Sequence, residues 1–391
     1  MSRARPMSTT TTTATQKRES SNMERRQFLR TSTLGVAAAA ATTTLAAPAI
    51  AQTVYEWRMV HSWPKGLPGV GAGAERLAER ITRASGGRLN ITTFAAGELV
   101  PALQCMDAVM DGTAEMGHDA SFYHGGKHPA FSIFFAVPFG MTADEQLAWF
   151  RFGGGQELWD ELNDQFGIVS FPAGQTACQS FGWFKKEITS MQDFNGLKMR
   201  IPGLGGELIK KVGGSAVVMP AGEIFAGLQS GAIDAAEFIG PLNDLSLGFH
   251  QVAKYCYGPG IQEPGGAVQL MVNKAKFQEL PEDLQQVIRS ACAEGYIDMK
   301  DEYDIRSGEA MAQLANEHGV QFMRLPNEVL QGLGNAAGQL VQESMDSGDD
   351  LTKRVWQSYL TSRTLTMRTL RFNEQAFLNA RTLEFTFPSA G

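Results

Sequence analysis

The sequence predicts an α/β protein of two lobes with a central cleft and an extended C-terminal helical tail. Three observations carry that prediction. Short apolar or alternating segments trade places with helical-period segments from residue 54 to about 325. Gly- and Pro-rich stretches near residues 172 and 265 look like two crossovers, so the chain leaves one lobe, builds another and returns. Residues 327–378 then read as almost unbroken amphipathic helix.

In chain order, Val54–Trp63 alternates as a strand, and Gly69–Ala84 carries Val70, Ala74, Leu77 and Ile81 at helical spacing. Gly86-Gly87 closes that helix, and Leu89–Phe94 is a second strand. Pro101–Met110 is a helix and Ala114–His118 a third strand, a βαβαβ order that favours parallel pairing with helices on both faces. Gly69, Gly71 and Gly73 have G-x-G-x-G spacing, which is not the dinucleotide fingerprint. Tyr123-His124-Gly125-Gly126-Lys127-His128 follows. Its glycines break any helix that would bring both histidines to one metal, so they read as loop histidines.

Ala143–Phe166 is helical with a break at Gly153-Gly154-Gly155, and Gly167–Phe171 is a strand. The second lobe opens with strand Phe181–Lys185. In strand Leu197–Ile201, apolar Leu197, Met199 and Ile201 alternate with Lys198 and Arg200. Helix Gly206–Val212, strand Ala216–Met219, helix Ala221–Ser230 and strand Ile233–Ile239 complete it. Val268–Asn273 returns to the first lobe, Pro281 sits at the start of a helix reaching about His318, and Val320–Leu325 is a last strand. The expected organisation is therefore 1–51 extension and leader, 52–172 first lobe, 173–265 second lobe, 266–326 return to the first lobe, and 327–391 C-terminal helices.

Residues 1–22 are a Thr/Ser-rich tract unable to bury a core, and translation could begin at Met1 or Met23. Arg25-Arg26-Gln27-Phe28-Leu29, an alanine-rich run and Ala49-Ile50-Ala51 are the parts of a twin-arginine export signal cleaved after Ala51. The 34 Lys/Arg and 41 Asp/Glu of the chain, less the seven and two of residues 1–51, leave 27 against 39, a net charge of −12. That balance argues against nucleic acid or an anionic membrane as partner. No run of eighteen apolar residues follows the leader, so the mature protein is expected to be soluble. Cys105, Cys178, Cys256 and Cys292 are scattered without a C-x-x-C pair, and spacing leaves any disulfide undecided.

Polar groups gather at expected strand ends and crossovers: Tyr123, Gln175, Gln179, Arg200, Glu237 and Glu263. Arginine offers a planar, permanently charged fork that matches a carboxylate. An acid at the end of an apolar strand is costly unless paired or coordinated. Two acids and one arginine in a cleft admit three readings. They form a structural ion-pair cluster, an acid/base pair for glycoside or ester hydrolysis using Glu237 and Glu263, or a carboxylate-ligand site with a hard cation. G-x-S-x-G, H-E-x-x-H and P-loop patterns are absent.

Dispersed motifs in order carry a resemblance: Phe94-Ala95-Ala96-Gly97-Glu98-Leu99, Ala136-Val137-Pro138-Phe139-Gly140, Gly182-Trp183-Phe184, Asn195–Gly203 with its K-x-R-x-P core, and Gly231–Glu237. From about Tyr55 to Leu325 the chain resembles the solute-binding proteins of TRAP (tripartite ATP-independent periplasmic) transporters. Glu237-Phe238, the Tyr257–Gly265 segment and the helical tail resemble the 2-oxo acid and lactate-binding branch. The resemblance implies a two-lobed periplasmic binding protein and not an enzyme. Its receptor would bind a monocarboxylate such as pyruvate or lactate and deliver it to TRAP membrane subunits. Arg200 would pair with the ligand carboxylate, with Tyr123, Gln175, Gln179 and Glu237 as further contacts. A cation would bridge protein and ligand through the carboxylates of Glu237 and Glu263 and the backbone carbonyl of Phe238. Two carboxylates favour Ca²⁺ over Na⁺. The branch's C-terminal helices imply a homodimer.

Overall fold

A computed structural model describes residues 53–388. The expected Thr/Ser-rich extension, leader and cleavage point lie outside the described residues. Among the described residues eleven strands form two sheets. In chain order they are β1 Tyr55–His61, β2 Leu89–Phe94, β3 Met116–Ala120, β4 Ile168–Gln175, β5 Gly182–Phe184, β6 Lys198–Arg200, β7 Ser215–Val217, β8 Ala235–Ala236, β9 Tyr255–Gly258, β10 Ala267–Asn273 and β11 Gln321–Arg324. The first sheet runs β2-β1-β3-β10-β4 and the second β11-β9-β5-β8-β6-β7.

Parallel pairing holds for β1 with β2 and β3, and for β6 with β7 and β8. It fails where a crossover strand enters a sheet. β10 lies antiparallel between β3 and β4, and β5 antiparallel between β8 and β9. A strand arriving from the other lobe comes in at the opposite end of the sheet, so it runs against its neighbours. β11 also departs from expectation: it pairs with β9 in the second sheet, not with the first lobe.

The helix Glu282–His318 crosses from one sheet to the other. Its first half buries Leu284, Ile288, Ala291 and Cys292, and its second half Tyr303, Ala310 and Leu314. At the midpoint the Tyr303 hydroxyl accepts from Val70 N at 3.2 Å. The tail helices mostly complete the protein's own cores. Val329, Leu333 and Ala337 of helix Asn327–Ser347 pack with Phe181, Met199 and Ile209. Trp356 and Tyr359 of helix Asp350–Phe372 join Phe134, Trp149 and Trp159, and the Tyr359 hydroxyl accepts from Met141 N at 2.8 Å. Burying these aromatic faces is worth about 1.5–3 kcal/mol per side chain.

All four cysteines are free thiols; Cys105, Cys256 and Cys292 are buried and Cys178 is exposed. Among the described residues no helix is long and apolar enough to cross a membrane.

Candidate functional site

Arg200 is the last residue of β6, in register with Ala236 of β8. The alternation seen in the sequence turns Met199 into the core and sends Arg200 to the sheet end, where it is 1% exposed. β8 is shorter than its apolar run suggested, ending at Ala236. Glu237 N still donates to Arg200 O at 3.0 Å, after which Glu237–Gly240 leave the ladder. That departure brings Glu237 beside the guanidinium. Arg200 Nη1 donates to the Glu237 carbonyl at 2.8 Å and to its Oε1 at 2.6 Å, while Nε donates to Met219 O at 3.1 Å. Nη2 has only a long 3.5 Å contact with the Tyr123 hydroxyl. The guanidinium also lies over the Phe238 ring, 5.6 Å from its centroid.

The crossovers supply the rest. Gln179 N donates to Glu263 O at 3.2 Å, tying the two crossovers together, and Gln179 Nε2 donates to Thr176 Oγ1 at 2.9 Å. Glu263 is 4% exposed, and neither Glu237 Oε2 nor Gln179 Oε1 has a hydrogen-bond partner. Tyr123 comes from the turn Ser121–His124 directly after β3. That turn is pinned by the contact of His124 Nε2 with Asp119 Oδ2 at 2.8 Å and by Gln269 Nε2 donating to Asp119 Oδ1 at 2.8 Å. The second histidine of the loop, His128, meets Asp349 Oδ2 at 2.9 Å. Both loop histidines are thus engaged by carboxylates.

Arg200, Tyr123, Gln179, Glu263 and Phe238 converge with Trp63, Phe122 and Phe135 on one cavity of ≈ 10 Å³, the space of about one water. Glu237 adjoins it through Arg200. Gln175 does not belong there. Its Nε2 donates to the Tyr296 hydroxyl at 2.7 Å and to Gln146 Oε1 at 3.3 Å, and it is fully buried. At the end of β4 its side chain takes the face packed on the long helix, and Thr176, one residue on, lines the cavity instead. Trp63, Phe122, Phe135, Thr176 and Ile239 were not anticipated. Trp63 had one signal, its position just past the carboxyl end of the first strand, where α/β sheets place ligands.

Electrostatics set the character of the site. Burial outweighs the pull of Arg200 and raises the Glu237 carboxyl to about 7. Burial, then the charge of Glu237, pushes Glu263 well above the carboxylate range. Burial likewise takes the Tyr123 phenol to about 12. One guanidinium therefore faces two acids, and the deficit of positive charge calls for a proton or a cation. The donor set is all oxygen, which suits a hard cation. Among the described residues no three His, Cys, Asp or Glu side chains gather as a metal cluster, so such an ion would also need carbonyl or ligand oxygens.

A crevice between two α/β lobes, with a buried guanidinium at one wall, has the form of a ligand cleft. The model of bacterial extracellular solute-binding protein family 7 (DctP) matches residues 59–347, and the chain belongs to that family. Its architecture is that of TRAP solute-binding proteins. It is similar to the monocarboxylate 2-oxoacid-binding periplasmic protein of Nostoc sp. PCC 7120, 41% identical over 323 residues that cover 83% of this chain and 88% of the relative. Among solved structures it is similar to a TRAP periplasmic solute-binding protein from Pseudoalteromonas atlantica with bound sodium and pyruvate. That likeness has a TM-score of 0.82 and 38% identity, covering 85% of this chain and 100% of that one. A second, from Bordetella bronchiseptica RB50, is a mixed-occupancy dimer with copurified calcium and picolinate. It has a TM-score of 0.82 and 35% identity, covering 84% and 97%.

Proposed function

We propose that this chain is the periplasmic receptor of a TRAP transporter, binding a small 2-oxo or 2-hydroxy monocarboxylate such as pyruvate or lactate. The observation that carries the reading is the charge imbalance of a buried site between the lobes. Arg200 is one positive charge against Glu237 and Glu263, and a monocarboxylate adds a third negative charge. With both carboxylates ionised a divalent cation brings the sum to zero, and with one of them protonated a monovalent cation does, so two ionised carboxylates favour Ca²⁺ over Na⁺. Glu237 through its unpartnered Oε2, Glu263 through its carboxylate and Phe238 through its carbonyl would hold the ion, which would supply a positive contact for the ligand's oxygens. Arg200 Nη2 is the nitrogen left to meet the carboxylate, with the Tyr123 hydroxyl and Gln179 as neighbouring polar groups.

The receptor makes and breaks no bond. The hydrolase reading has no observation in its favour: Glu237 is tied to Arg200 at 2.6 Å, and the family is one of solute-binding proteins. Closure follows the hinge pattern, in which the ligand stabilises the shut form because only there do both lobes touch it. The lobes take residues 52–172 and 173–265 as their main parts. The twin-arginine signal at Arg25-Arg26 would export the chain, and transport would continue through TRAP membrane subunits.

Homodimerisation rests on the end of the tail. Phe372, Phe377, Phe385 and Phe387 are 82%, 62%, 57% and 78% exposed. A groove of ≈ 330 Å³ between Val137–Gly140 and the two long tail helices is lined by Phe139, Ala337, Val341, Met345 and Leu360. The exposed end of one copy covering this groove on a second would remove both apolar surfaces from water.

Native mass spectrometry of protein purified without added ligand tests the whole reading. A retained mass matching a small organic acid with Ca²⁺ or Na⁺ is the expected result. Chains carrying neither, and gaining neither when incubated with pyruvate and Ca²⁺, would reject it.

A further inference from the structure

The start of helix Val70–Ala84 is completed from far along the chain. Gly69, at its N-cap, has no side chain to cap it and takes φ +71°. Val70 N donates instead to the Tyr303 hydroxyl at 3.2 Å. The Gly69 backbone lies against the Tyr303 ring so closely that a Cβ there would fall 2.2 Å from it. The carbonyl just before, Pro68 O, accepts from Asn243 Nδ2 at 2.7 Å. A carbonyl only accepts, so the amide has to turn its nitrogen toward it.

This last bond crosses between the lobes. Pro68 lies in the loop after β1 of the first sheet, and Asn243 in helix Pro241–Ser246, which follows β8 of the second. That helix is fastened to its own lobe, because Trp183 Nε1 of β5 donates to Asp244 Oδ2 at 2.7 Å. Asn243 therefore travels with the second lobe and Pro68 with the first. Asn243 is fully buried, and neither residue lines the cavity at Arg200. Parting the lobes would break the bond and return both groups to water. Asn243 Oδ1 is also buried and has no partner, so the shut arrangement keeps one acceptor dry. A hydrogen bond of ordinary strength set against that cost holds the lobes weakly, which suits a part that has to release.

We propose that Asn243 is an interlobe latch, whose bond to Pro68 O stabilises the shut form and sets affinity without touching the ligand. Tyr303 acts as the seat, holding the loop to which the latch fastens. This rests on the receptor reading above, in which the ligand binds where both lobes meet, and adds a residue that sets how tightly. The latch biases only the open–shut equilibrium. Its loss should weaken every carboxylate by one common factor, whereas loss of a ligand contact would change their ranking.

The test is calorimetric titration with pyruvate and with lactate in Ca²⁺-containing buffer, on the wild type, Asn243→Ala and Asn243→Leu. Both variants should bind both acids about three- to tenfold more weakly, with the pyruvate-to-lactate ratio of the wild type. Stopped-flow tryptophan fluorescence should show faster release by a similar factor. Without ligand, small-angle scattering should give the variants a larger radius of gyration than the wild type. Asn243→Leu keeps the volume and serves if the alanine variant folds poorly. Affinities within about twofold of the wild type, whatever the melting temperature, would overturn the latch, as would a changed ratio between the acids. A wild type that binds neither acid would sink the receptor reading. The scattering comparison needs no ligand and would still decide the latch, which an unchanged radius would overturn.

Discussion

Replacing Arg200 by lysine keeps a buried positive charge and removes the planar fork. The arginine holds Met219 O through Nε, and the backbone carbonyl and Oε1 of Glu237 through Nη1, at 3.1, 2.8 and 2.6 Å, leaving Nη2 for the cavity. An ammonium has three donors on one atom and cannot address Met219, Glu237 and a ligand from that single point. The ligand then forfeits at least one hydrogen bond to a charged donor, worth about 1.5–3 kcal/mol, or roughly ten- to a hundredfold in Kd. Calorimetry with pyruvate at saturating Ca²⁺ should therefore show Arg200→Lys at least tenfold weaker, with a small change in melting temperature because the acids keep a cation nearby. Arg200→Met is the control. It leaves Glu237 buried without its partner, a loss of about 3–5 kcal/mol that should appear in the melting temperature as well. Near-normal affinity in the lysine variant, within about threefold, would refute the guanidinium contact.

Chelator-treated protein should bind pyruvate weakly and recover with Ca²⁺, and unchanged affinity after chelation would count against a bridging ion. Glu263→Gln removes one negative charge from the site, so it should lower the preference for Ca²⁺ over Na⁺; an unaltered ratio of the two affinities would place the ion elsewhere. Without ligand or ion, the protein should melt at a lower temperature as pH rises. The folded Glu237 carboxyl titrates at about 7 against an ordinary 4.5, so its contribution is fully present below about 4.5 and is lost as pH rises through about 7. Buried Asp244, whose carboxyl burial also raises, acts in the same direction. A melting temperature that is flat or rises from about pH 5.5 to 8 would contradict this. Truncation after Phe372 should give monomers by light scattering with the lobes intact. Cutting earlier would remove buried Trp356 and Tyr359, so a dimer persisting in the Phe372 truncation would locate the interface elsewhere.

Much of the fold was legible because its signals are local. The alternation around Arg200 and the helical spacing of Val70–Ile81 each concern a few neighbouring residues. The structure returns both, as a strand end and a helix Val70–Ala84. Strand direction was less legible, because antiparallel β10 and β5 depend on where a crossover re-enters a sheet. β11 joined the second sheet for a similar reason: its partner, β9, lies more than sixty residues earlier in the chain.

The chemistry divides along the same line. The sequence by itself determined that a permanent cation, two acids and a phenol sit at strand ends and crossovers, where burial is costly without partners. Only the tertiary structure decided which of them meet. It set Glu237 against Arg200, turned Gln175 away toward Tyr296, and brought Trp63, Phe122 and Phe135 to one cavity. Periodicity along a chain says which face a side chain takes, but not what lies opposite that face. That is settled by packing between segments far apart in sequence, and a cavity exists only where several of them close together.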